Sequence, residues 1–335
     1  MAARLTQTDV KTMKAAHITQ WCAEGTVADT ILLGEVPLPT ALPIKQDVLI
    51  EVKASSINID DVAVCQNAAG GGWFFHARTP SIEKPLVGGM EYAGVVLAVG
   101  PGCTLLKVGD RVCGVQDIAM KQMPGTWAEQ TLAPEGDVVL IPPACEISFV
   151  QAAAVGMGAM VSGDMYKRAM IPSEGEEFRC LVLGASGGLG TIMLPLLRNH
   201  QGVQIHITAV CSSANADKVR RLGADEVVDY TTAPFIKQLS GSQFDVIFDF
   251  VGGVESERAT TLLKRGGKFI TACGPAQGIG DRIMTCCEWH SWCCGLVGRL
   301  LKSNCCCCCT AFKYEMAGDM PPLKAESFNT VAVEA

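Results

Sequence analysis

The chain has 335 residues, of which 49% are hydrophobic and 18% charged, and its formal net charge is −7. At roughly 150 residues per domain, this length predicts about two globular domains with ample core. The acidic balance argues against nucleic acid or an anionic membrane as a main partner, and no apolar run approaches the roughly 18 residues that span a bilayer.

The residues from Met1 to Lys14 do not have the composition of a targeting segment. They include Arg4 and Lys11 but also Asp9, and they lack an apolar signal core and an Arg/Ser-rich amphipathic pattern. We therefore expect a cytoplasmic protein, with a mitochondrial location as the alternative.

Short β-prone runs separated by Gly and Pro turns dominate the first part of the chain. Val48–Lys53 and Tyr92–Val99 are typical of strands. Gly109–Asp110 predicts a tight turn before Arg111–Cys113, because glycine allows a positive φ and aspartate bonds the nearby backbone. We predict an antiparallel or barrel-like domain over residues 12–145.

A glycine turn joins an apolar strand to a helix within Leu181–Gly190, where Gly184, Gly187 and Gly190 recur every three residues. Glycines at this spacing allow a tight turn, close approach to a pyrophosphate and close packing of the helix on the strand. The phosphates would lie at the helix N-terminus, which favours negative charge. The loop predicts dinucleotide binding, with an unliganded strand-turn-helix as the alternative.

Further apolar runs follow this loop at the spacing of alternating strands and helices. Ile205–Val210 predicts a second strand, and Lys218–Tyr230 predicts a helix, a turn and a third strand. Phe244–Phe250 and Gly267–Ala272 are apolar and β-branched, as parallel strands buried on both faces should be. We predict a doubly wound α/β domain with a parallel sheet over residues 146–282.

The end of the second predicted strand bears on the choice between NAD and NADP. NAD sites place an acid there, whereas Ser212 and its neighbours are uncharged and the nearest acid in sequence is Asp217. Three basic residues lie close enough in sequence to reach a 2′-phosphate, namely Lys218, Arg220 and Arg221. We predict NADPH; the alternative is that serines cap a helix whose basic face is solvated.

Four segments, in this order, resemble the medium-chain dehydrogenase/reductase superfamily: Gly89–Gly100, Val108–Val112, Gly184–Gly190 and Leu222–Asp225. The chain is most similar to the zinc-independent quinone oxidoreductase branch, especially its reticulon-interacting members. The resemblance covers about residues 12–280. It implies a GroES-like, β-rich catalytic domain followed by a Rossmann domain that binds NADPH.

Zinc-dependent relatives polarise the substrate oxygen with a metal held by a Cys and a Gly-His-Glu motif. The corresponding positions here are Asn58 and Gly89–Glu91, where methionine replaces the histidine. No closely spaced cysteines follow Cys113 before Trp127 to form a structural zinc lobe. We predict no metal, and we expect Glu91 to be a buried, hydrogen-bonded residue.

Hydride transfer without a metal depends on holding the nicotinamide against an electron-poor carbon. Asn58 and Asp61 match the Asn-x-x-Asp pattern that the family places near nicotinamide and substrate. Asn58 would donate a hydrogen bond to the substrate oxygen as negative charge develops. For Asp61, a helix-cap role is an equal alternative, and the sequence nominates no general acid.

The resemblance also implies the residues that contact the cofactor. They are Ser186, Gly187, Gly188 and Leu189 at the pyrophosphate, Ser212 at the 2′-phosphate, Tyr230 at the adenosine, and Phe250 and Gly274 on the nicotinamide side. Asn215, Phe250 and Val161 depart from residue types common in relatives. Pro195 lies inside the predicted cofactor helix, where it costs about 3 kcal/mol unless the helix is kinked.

Residues 283–335 depart most from the family, which continues here with strands that complete the catalytic domain. This tail carries nine of the 17 cysteines, including Cys305–Cys309, and we interpret them as free thiols. A metal-binding or lipid-modified tail is the alternative. About 40 residues that the resemblance would supply are absent.

Two functions follow from the sequence. The first is an NADPH-dependent oxidoreductase that transfers hydride to a small-molecule quinone or α,β-unsaturated carbonyl. The alternative is an NADPH-binding partner protein with little or no turnover. The resemblance also allows a homodimer.

Overall fold

The computed structural model describes residues 11–23, 25–39, 46–67, 79–116, 124–273 and 312–316. These residues fall into two compact units, divided between Gly156 and Met157. Within these ranges, no helix combines the length and the apolar character that a membrane span needs.

Unit 1 consists mainly of short antiparallel strands. They are β1 (Thr12–Ile18), β2 (Leu32–Pro37), β3 (Asp47–Ser55), β4 (Leu86–Val87), β5 (Glu91–Val99), β6 (Arg111–Val115), β7 (Gln130–Pro134) and β8 (Val138–Leu140). Two short helices accompany them, α1 (Val27–Thr30) and α2 (Ile59–Cys65). One sheet has the order β7-β3-β5-β6-β8 and another β2-β1-β4, which confirms the predicted β-rich domain.

The core of the larger sheet of unit 1 follows the period of two that strands impose. Val48 and Ile50 on β3 are fully buried and pack with Tyr92 and Val96 on β5. Between β5 and β6, Gly109 has a φ of +91° and forms the predicted tight turn. The apolar alternation therefore fixes which face of each strand is inside.

Unit 2 is a parallel sheet with helices between its strands. The strands are β9 (Phe178–Leu183), β10 (Ile205–Cys211), β11 (Glu226–Asp229), β12 (Phe244–Asp249), β13 (Leu263–Thr271) and β14 (Phe312–Met316). The helices are α3 (Phe149–Ala169), which begins before the division between units, α4 (Gly188–Arg198), α5 (Ala216–Arg221), α6 (Phe235–Gln238) and α7 (Gly253–Glu257).

The strand order in unit 2 is β11-β10-β9-β12-β13-β14. Numbered from its own first strand, this order is 3-2-1-4-5-6, which is the arrangement of dinucleotide-binding Rossmann folds. It confirms the predicted doubly wound parallel sheet. The order reverses between β9 and β12, and such a switch point is where ligands bind in open α/β sheets.

Strand β14 lies inside residues 283–335, which the sequence predicts to be a divergent tail. It pairs in parallel with β13, from Gly267 opposite Phe312 to Thr271 opposite Met316. These five residues therefore extend the Rossmann sheet, a role that sequence analysis missed. The cysteines of the tail and Gly274 lie outside the described residues.

Helix α4 begins beside the glycine turn and is held there by α3. Ser162 on α3 donates a hydrogen bond from Oγ to the Leu189 carbonyl at 3.0 Å, and a Cβ at Gly158 would overlap the Ile192 side chain. The helix continues through Pro195, whose carbonyl accepts from the Asn199 amide at 3.0 Å. The start of α4 is thus fixed by packing rather than by its own propensity.

Candidate functional site

A cavity of about 660 Å³ lies in unit 2, where β9, β10, β11 and β12 reach their carboxyl ends. Its lining residues are Leu183, Gly184, Ser186, Gly187, Gly188, Leu189, Val210, Cys211, Tyr230, Pro234, Phe235, Ile236, Phe250, Val251, Glu255 and Ser256. The cavity therefore occupies the ligand-binding edge of the sheet, next to the switch point.

The glycines of the turn each serve a different geometric need. Gly184 has a φ of +74°, a backbone conformation that residues other than glycine rarely adopt. A Cβ at Gly190 would lie 2.6 Å from the Cα of Ala185, so only glycine allows α4 to pack this closely. A Cβ at Gly188 would meet no atom within 4 Å and would occupy open space at the cavity wall.

The N-terminus of α4 opens into this cavity and has the features of an anion-binding site. Its N-cap, Gly187, forms no side-chain cap hydrogen bond, and the Gly187 amide bonds the Gly184 carbonyl at 3.0 Å. A cradle kept free of side chains, at the start of an 11-residue helix, fits a pyrophosphate. The residues present therefore fit a dinucleotide cofactor.

Most of the predicted cofactor residues come together at this cavity. Those that line it are Ser186, Gly187, Gly188, Leu189, Tyr230 and Phe250. Ser212 follows the lining residue Cys211 without lining the cavity itself, and its Oγ accepts a hydrogen bond from Asn215 Nδ2 at 3.2 Å. Gly274 lies outside the described residues, and the contacts of all eight residues with a cofactor stay predictions.

Charges near Ser212 are more balanced than the sequence suggested. Lys218 donates a hydrogen bond from Nζ to the Ser186 carbonyl at 3.4 Å, which places one cation at the glycine turn. Asp229, at the end of the neighbouring strand, is a nearby acid that sequence order had hidden. Hydrogen bonds from Thr231 and then Ser213 hold the pKa of Asp229 below its ordinary value, so this carboxylate is ionised at neutral pH.

One wall of the cavity is formed by residues that no sequence motif predicted. Pro234, Phe235 and Ile236, after β11, supply apolar surface to the cavity, and Val251, Glu255 and Ser256 come from the segment after β12. The signal available in the sequence was position alone, since residues following parallel strands gather at one edge of the sheet.

In unit 1, Asn58 begins helix α2 as its N-cap. Its Oδ1 accepts a hydrogen bond from the Asp60 amide at 2.9 Å, and Asp61 Oδ2 accepts one from the Asn58 amide at 2.9 Å. This reciprocal pair is a capping box, which satisfies amides that the first helical turn leaves free. Asp61 therefore takes part in the helix cap, and its catalytic role stays a prediction.

The free end of the Asn58 side chain faces Glu91 on β5. Asn58 Nδ2 lies 3.4 Å from Glu91 Oε2, and Ser56 donates a hydrogen bond from Oγ to the same oxygen. Glu91 is only 4% exposed, in agreement with the prediction of a buried, hydrogen-bonded residue. Because Oδ1 caps α2 and Nδ2 faces a carboxylate, the Asn58 amide has one orientation in which both ends are satisfied.

Three carboxyl groups share this small region, and two of them, Asp61 and Asp60, have raised pKa values. Burial raises the pKa of Asp61 to about 7, and the nearby charges of Glu91 and Asp60 add to the increase. Burial and then Glu91 also raise the pKa of Asp60. Near neutral pH, therefore, Asp61 exists in both protonation states, as an acid that exchanges protons must.

The positions of the zinc ligands of relatives fall within this cluster. Asn58 and Met90 are poor ligands for zinc, since neither supplies an imidazole or a thiolate. Among the described residues, no group of three or more His, Cys, Asp or Glu side chains has the arrangement of a metal site. Zinc independence stays a prediction.

Two family models match the chain, and together they cover more than half of it. One is described as an alcohol dehydrogenase GroES-like domain, at residues 44–143. The other is described as a zinc-binding dehydrogenase, at residues 188–285. The first match falls on the β-rich unit and the second begins at α4 of the Rossmann unit.

Similar proteins of known name point the same way. The chain is 31% identical over 247 residues to mouse (Mus musculus) "NAD(P)H oxidoreductase RTN4IP1, mitochondrial", with 71% of this chain and 60% of that protein covered. It is 32% identical over 247 residues to "2-methylene-furan-3-one reductase" of Solanum lycopersicum, with 72% and 59% covered. The chain thus spans about 60% of the length of these relatives.

A solved structure shares the fold. The quinone oxidoreductase from Coxiella burnetii superposes with a TM-score of 0.73 at 18% identity, covering 96% of this chain and 87% of that chain. At this identity the likeness establishes the architecture alone.

Proposed function

We propose a function from the premise that this chain belongs to the medium-chain dehydrogenase/reductase superfamily, as a quinone-oxidoreductase-like protein. The proposed function is an NADPH-dependent oxidoreductase that reduces a quinone or an α,β-unsaturated carbonyl without zinc. The observation that carries the proposal is the side-chain-free cradle at the start of α4, inside a cavity at the switch point of the sheet.

The cofactor would be held mainly by backbone groups. Gly187, Gly188 and Leu189 present the N-terminus of α4 to the pyrophosphate, and this contact needs no titratable side chain. Ser212 is proposed to contact the 2′-phosphate, and Lys218 at the glycine turn adds a positive charge. When bound, the reduced nicotinamide supplies the hydride.

On the substrate side, we propose that Asn58 donates a hydrogen bond to the oxygen that gains negative charge. Glu91 and the cap of α2 hold the amide in one orientation, so little reorganisation would be needed during the reaction. Asp61 is adjacent through the capping box. With a pKa of about 7, it would hold or release a proton near neutral pH.

The substrate class rests on chemistry and on the relatives. An electron-poor carbon conjugated to an oxygen accepts hydride when the oxygen is stabilised by a hydrogen bond, and Asn58 offers one such donor. One relative is named as a reductase of a 2-methylene-furan-3-one. These considerations favour quinones and enones over simple alcohols.

Fluorescence titration of the purified full chain with NADPH and NADH tests the cofactor proposal. We expect NADPH to bind more tightly, with dissociation constants that differ by at least about tenfold. Binding without turnover over a panel of quinones and enones would favour the alternative of a cofactor-binding partner protein. If neither cofactor binds, the proposed function is wrong.

Assembly and location are separate proposals. A homodimer is checked by light scattering of the full chain in solution. A cytoplasmic location, with mitochondria as the alternative, is checked by imaging a tagged full chain in its own cells.

A further inference from the structure

A buried carboxylate at the end of β12 plays no part in the contacts described so far. Asp249 has no exposed surface, and its Oδ1 accepts hydrogen bonds from the amides of Val251 and Gly252, both at 3.0 Å. These amides belong to the segment that turns away from β12 and forms part of the cavity wall. One carboxylate oxygen therefore sets the path of this wall.

The other carboxylate oxygen reaches the next strand. Asp249 Oδ2 accepts a hydrogen bond from Thr271 Oγ1 at 2.8 Å. Thr271 Oγ1 in turn accepts one from the Cys273 amide at 3.1 Å, just beyond β13. Asp249 is therefore the point at which the segments after β12 and β13 are joined by hydrogen bonds.

The backbone around Asp249 reinforces this junction. The Phe250 amide donates to the Leu183 carbonyl at 3.2 Å, and the Ala272 amide donates to the Asp249 carbonyl at 2.9 Å. Asp249 pairs with β9 on one side and with β13 on the other. The carboxyl ends of three neighbouring strands thus meet at this residue.

The segment after β12, which Asp249 bonds, packs against the glycine turn. A Cβ at Gly184 would come within 3.0 Å of Val251 Cγ2 and 3.5 Å of Phe250 Cβ. A shift of the segment after β12 would therefore change the width of the cavity beside the turn.

A carboxylate in this position is expensive to bury and must be compensated. Burial raises the pKa of Asp249, while hydrogen bonds from Gly252, Val251, Thr271 and Ser256 favour its charged form. A leucine-sized apolar residue would fill the same space at lower desolvation cost, so the network indicates a need for precise placement of the two segments.

We propose that Asp249, acting through Thr271, is a positioning residue that sets the nicotinamide side of the cofactor cavity. This inference rests on the proposed function, because it assumes that the segments after β12 and β13 flank the nicotinamide. Asp249 does not line the cavity itself, so it would act on the cofactor only through the segments it holds.

The test compares two ligands that differ only by the nicotinamide. NADPH and 2′-phospho-ADP-ribose are titrated into the full chain with wild-type sequence and into Thr271→Val, Thr271→Ser and Asp249→Asn. Thr271→Val removes the hydroxyl that joins the two segments, and Thr271→Ser keeps it. Thermal unfolding of each variant checks that it is folded, and Thr271→Val tests the idea even if Asp249→Asn does not fold.

We expect Thr271→Val to weaken NADPH about tenfold, the effect of one hydrogen bond, and to leave 2′-phospho-ADP-ribose binding within about twofold. Thr271→Ser should retain NADPH binding close to wild type. Equal losses for both ligands, or no loss for either, in a wild-type background that binds NADPH would overturn the inference and leave the proposed function standing. A wild-type chain that binds neither ligand would overturn both.

Discussion

The cavity of unit 2 and the polar cluster of unit 1 are built from different materials. Backbone forms the proposed anion site of the cavity, where Gly188 and Gly190 matter because they have no side chain. Side chains form the cluster, where Asn58, Asp61 and Glu91 are joined by hydrogen bonds and shared charge. The first site should therefore respond to added volume and ignore pH, and the second should do the reverse.

This difference also separates two kinds of requirement. A dinucleotide presents the same phosphates in many enzymes, so a fixed backbone cradle suffices for it. Reduction of a particular carbonyl needs a donor aimed at one oxygen, and the proposed donor here is the held side chain of Asn58. A substitution that changes one of these sites should therefore leave the other unaffected.

The largest effect should come from the charge of Asp61. Its folded-state pKa of about 7 lies above the ordinary value of 3.8, so the folded chain binds the proton more tightly than the unfolded chain. The contribution of Asp61 to the free energy of unfolding is then fully present below about pH 4. It falls as the pH rises to about 7, by up to about 4 kcal/mol.

Asp61→Asn should flatten this dependence, because the amide has no proton to lose. Denaturant unfolding of wild type and variant from pH 4 to pH 8 measures it, with NADPH binding as the control that should not change. If the two unfolding curves run parallel over this range, Asp61 does not have the raised pKa.

The second prediction separates the cap of α2 from the chemistry of Asn58. Asn58→Ser retains an oxygen that can cap the helix but removes the amide donor, whereas Asn58→Ala removes both. We expect turnover to fall about 100-fold in each variant, with about 1 kcal/mol of unfolding free energy lost only in Asn58→Ala. Steady-state rates beside unfolding curves measure both, and full activity in Asn58→Ser would contradict the role of the donor.

Glycine substitutions should affect the cavity in two distinguishable ways. Gly190→Ala forces a Cβ against the Ala185 backbone, and we expect a loss of about 1–3 kcal/mol in unfolding free energy. Gly188→Ala places its Cβ in open space, so stability should change by less than about 1 kcal/mol while NADPH affinity falls. Tight NADPH binding by Gly188→Ala would mean that the pyrophosphate does not lie at this turn.

The smallest effect concerns cofactor choice. Lys218→Gln should weaken NADPH several-fold, in keeping with about 1 kcal/mol or less for an exposed charge, and should weaken NADH less because NADH lacks the 2′-phosphate. Lys53→Gln is the matched control, since Lys53 is also an exposed lysine and it pairs with Glu51 on β3 of unit 1. Equal effects of the two substitutions would show that general charge, rather than Lys218 at the glycine turn, is responsible.

The sequence predicted unit 2 well because its signals are local. Gly184, Gly187 and Gly190 are three residues apart, and each run of apolar residues marks one strand. The predicted strand Ile205–Val210 differs from the observed one by a single residue. Fold and cofactor cradle both follow from such short-range patterns.

What the sequence could not predict depends on contacts between distant residues. Asp249 meets Thr271 across 22 positions, and Asn58 meets Glu91 across 33. The proximity of Asp229 to Ser213 was not predicted, because Asp229 ends one strand, Ser213 follows the neighbouring strand, and the two residues are far apart along the chain. Strand β14 was missed because it is defined by its pairing with β13, and its short alternating run does not stand out.

The most direct test is whether the purified full chain oxidises NADPH when 9,10-phenanthrenequinone is added. The reaction is followed by the absorbance of the reduced nicotinamide, and the wild-type chain is compared with Gly188→Ala. We expect quinone-dependent oxidation by the wild-type chain and a large loss in the folded variant. A wild-type chain that binds NADPH but oxidises none with any quinone or enone, or a variant as fast as wild type, would contradict this expectation.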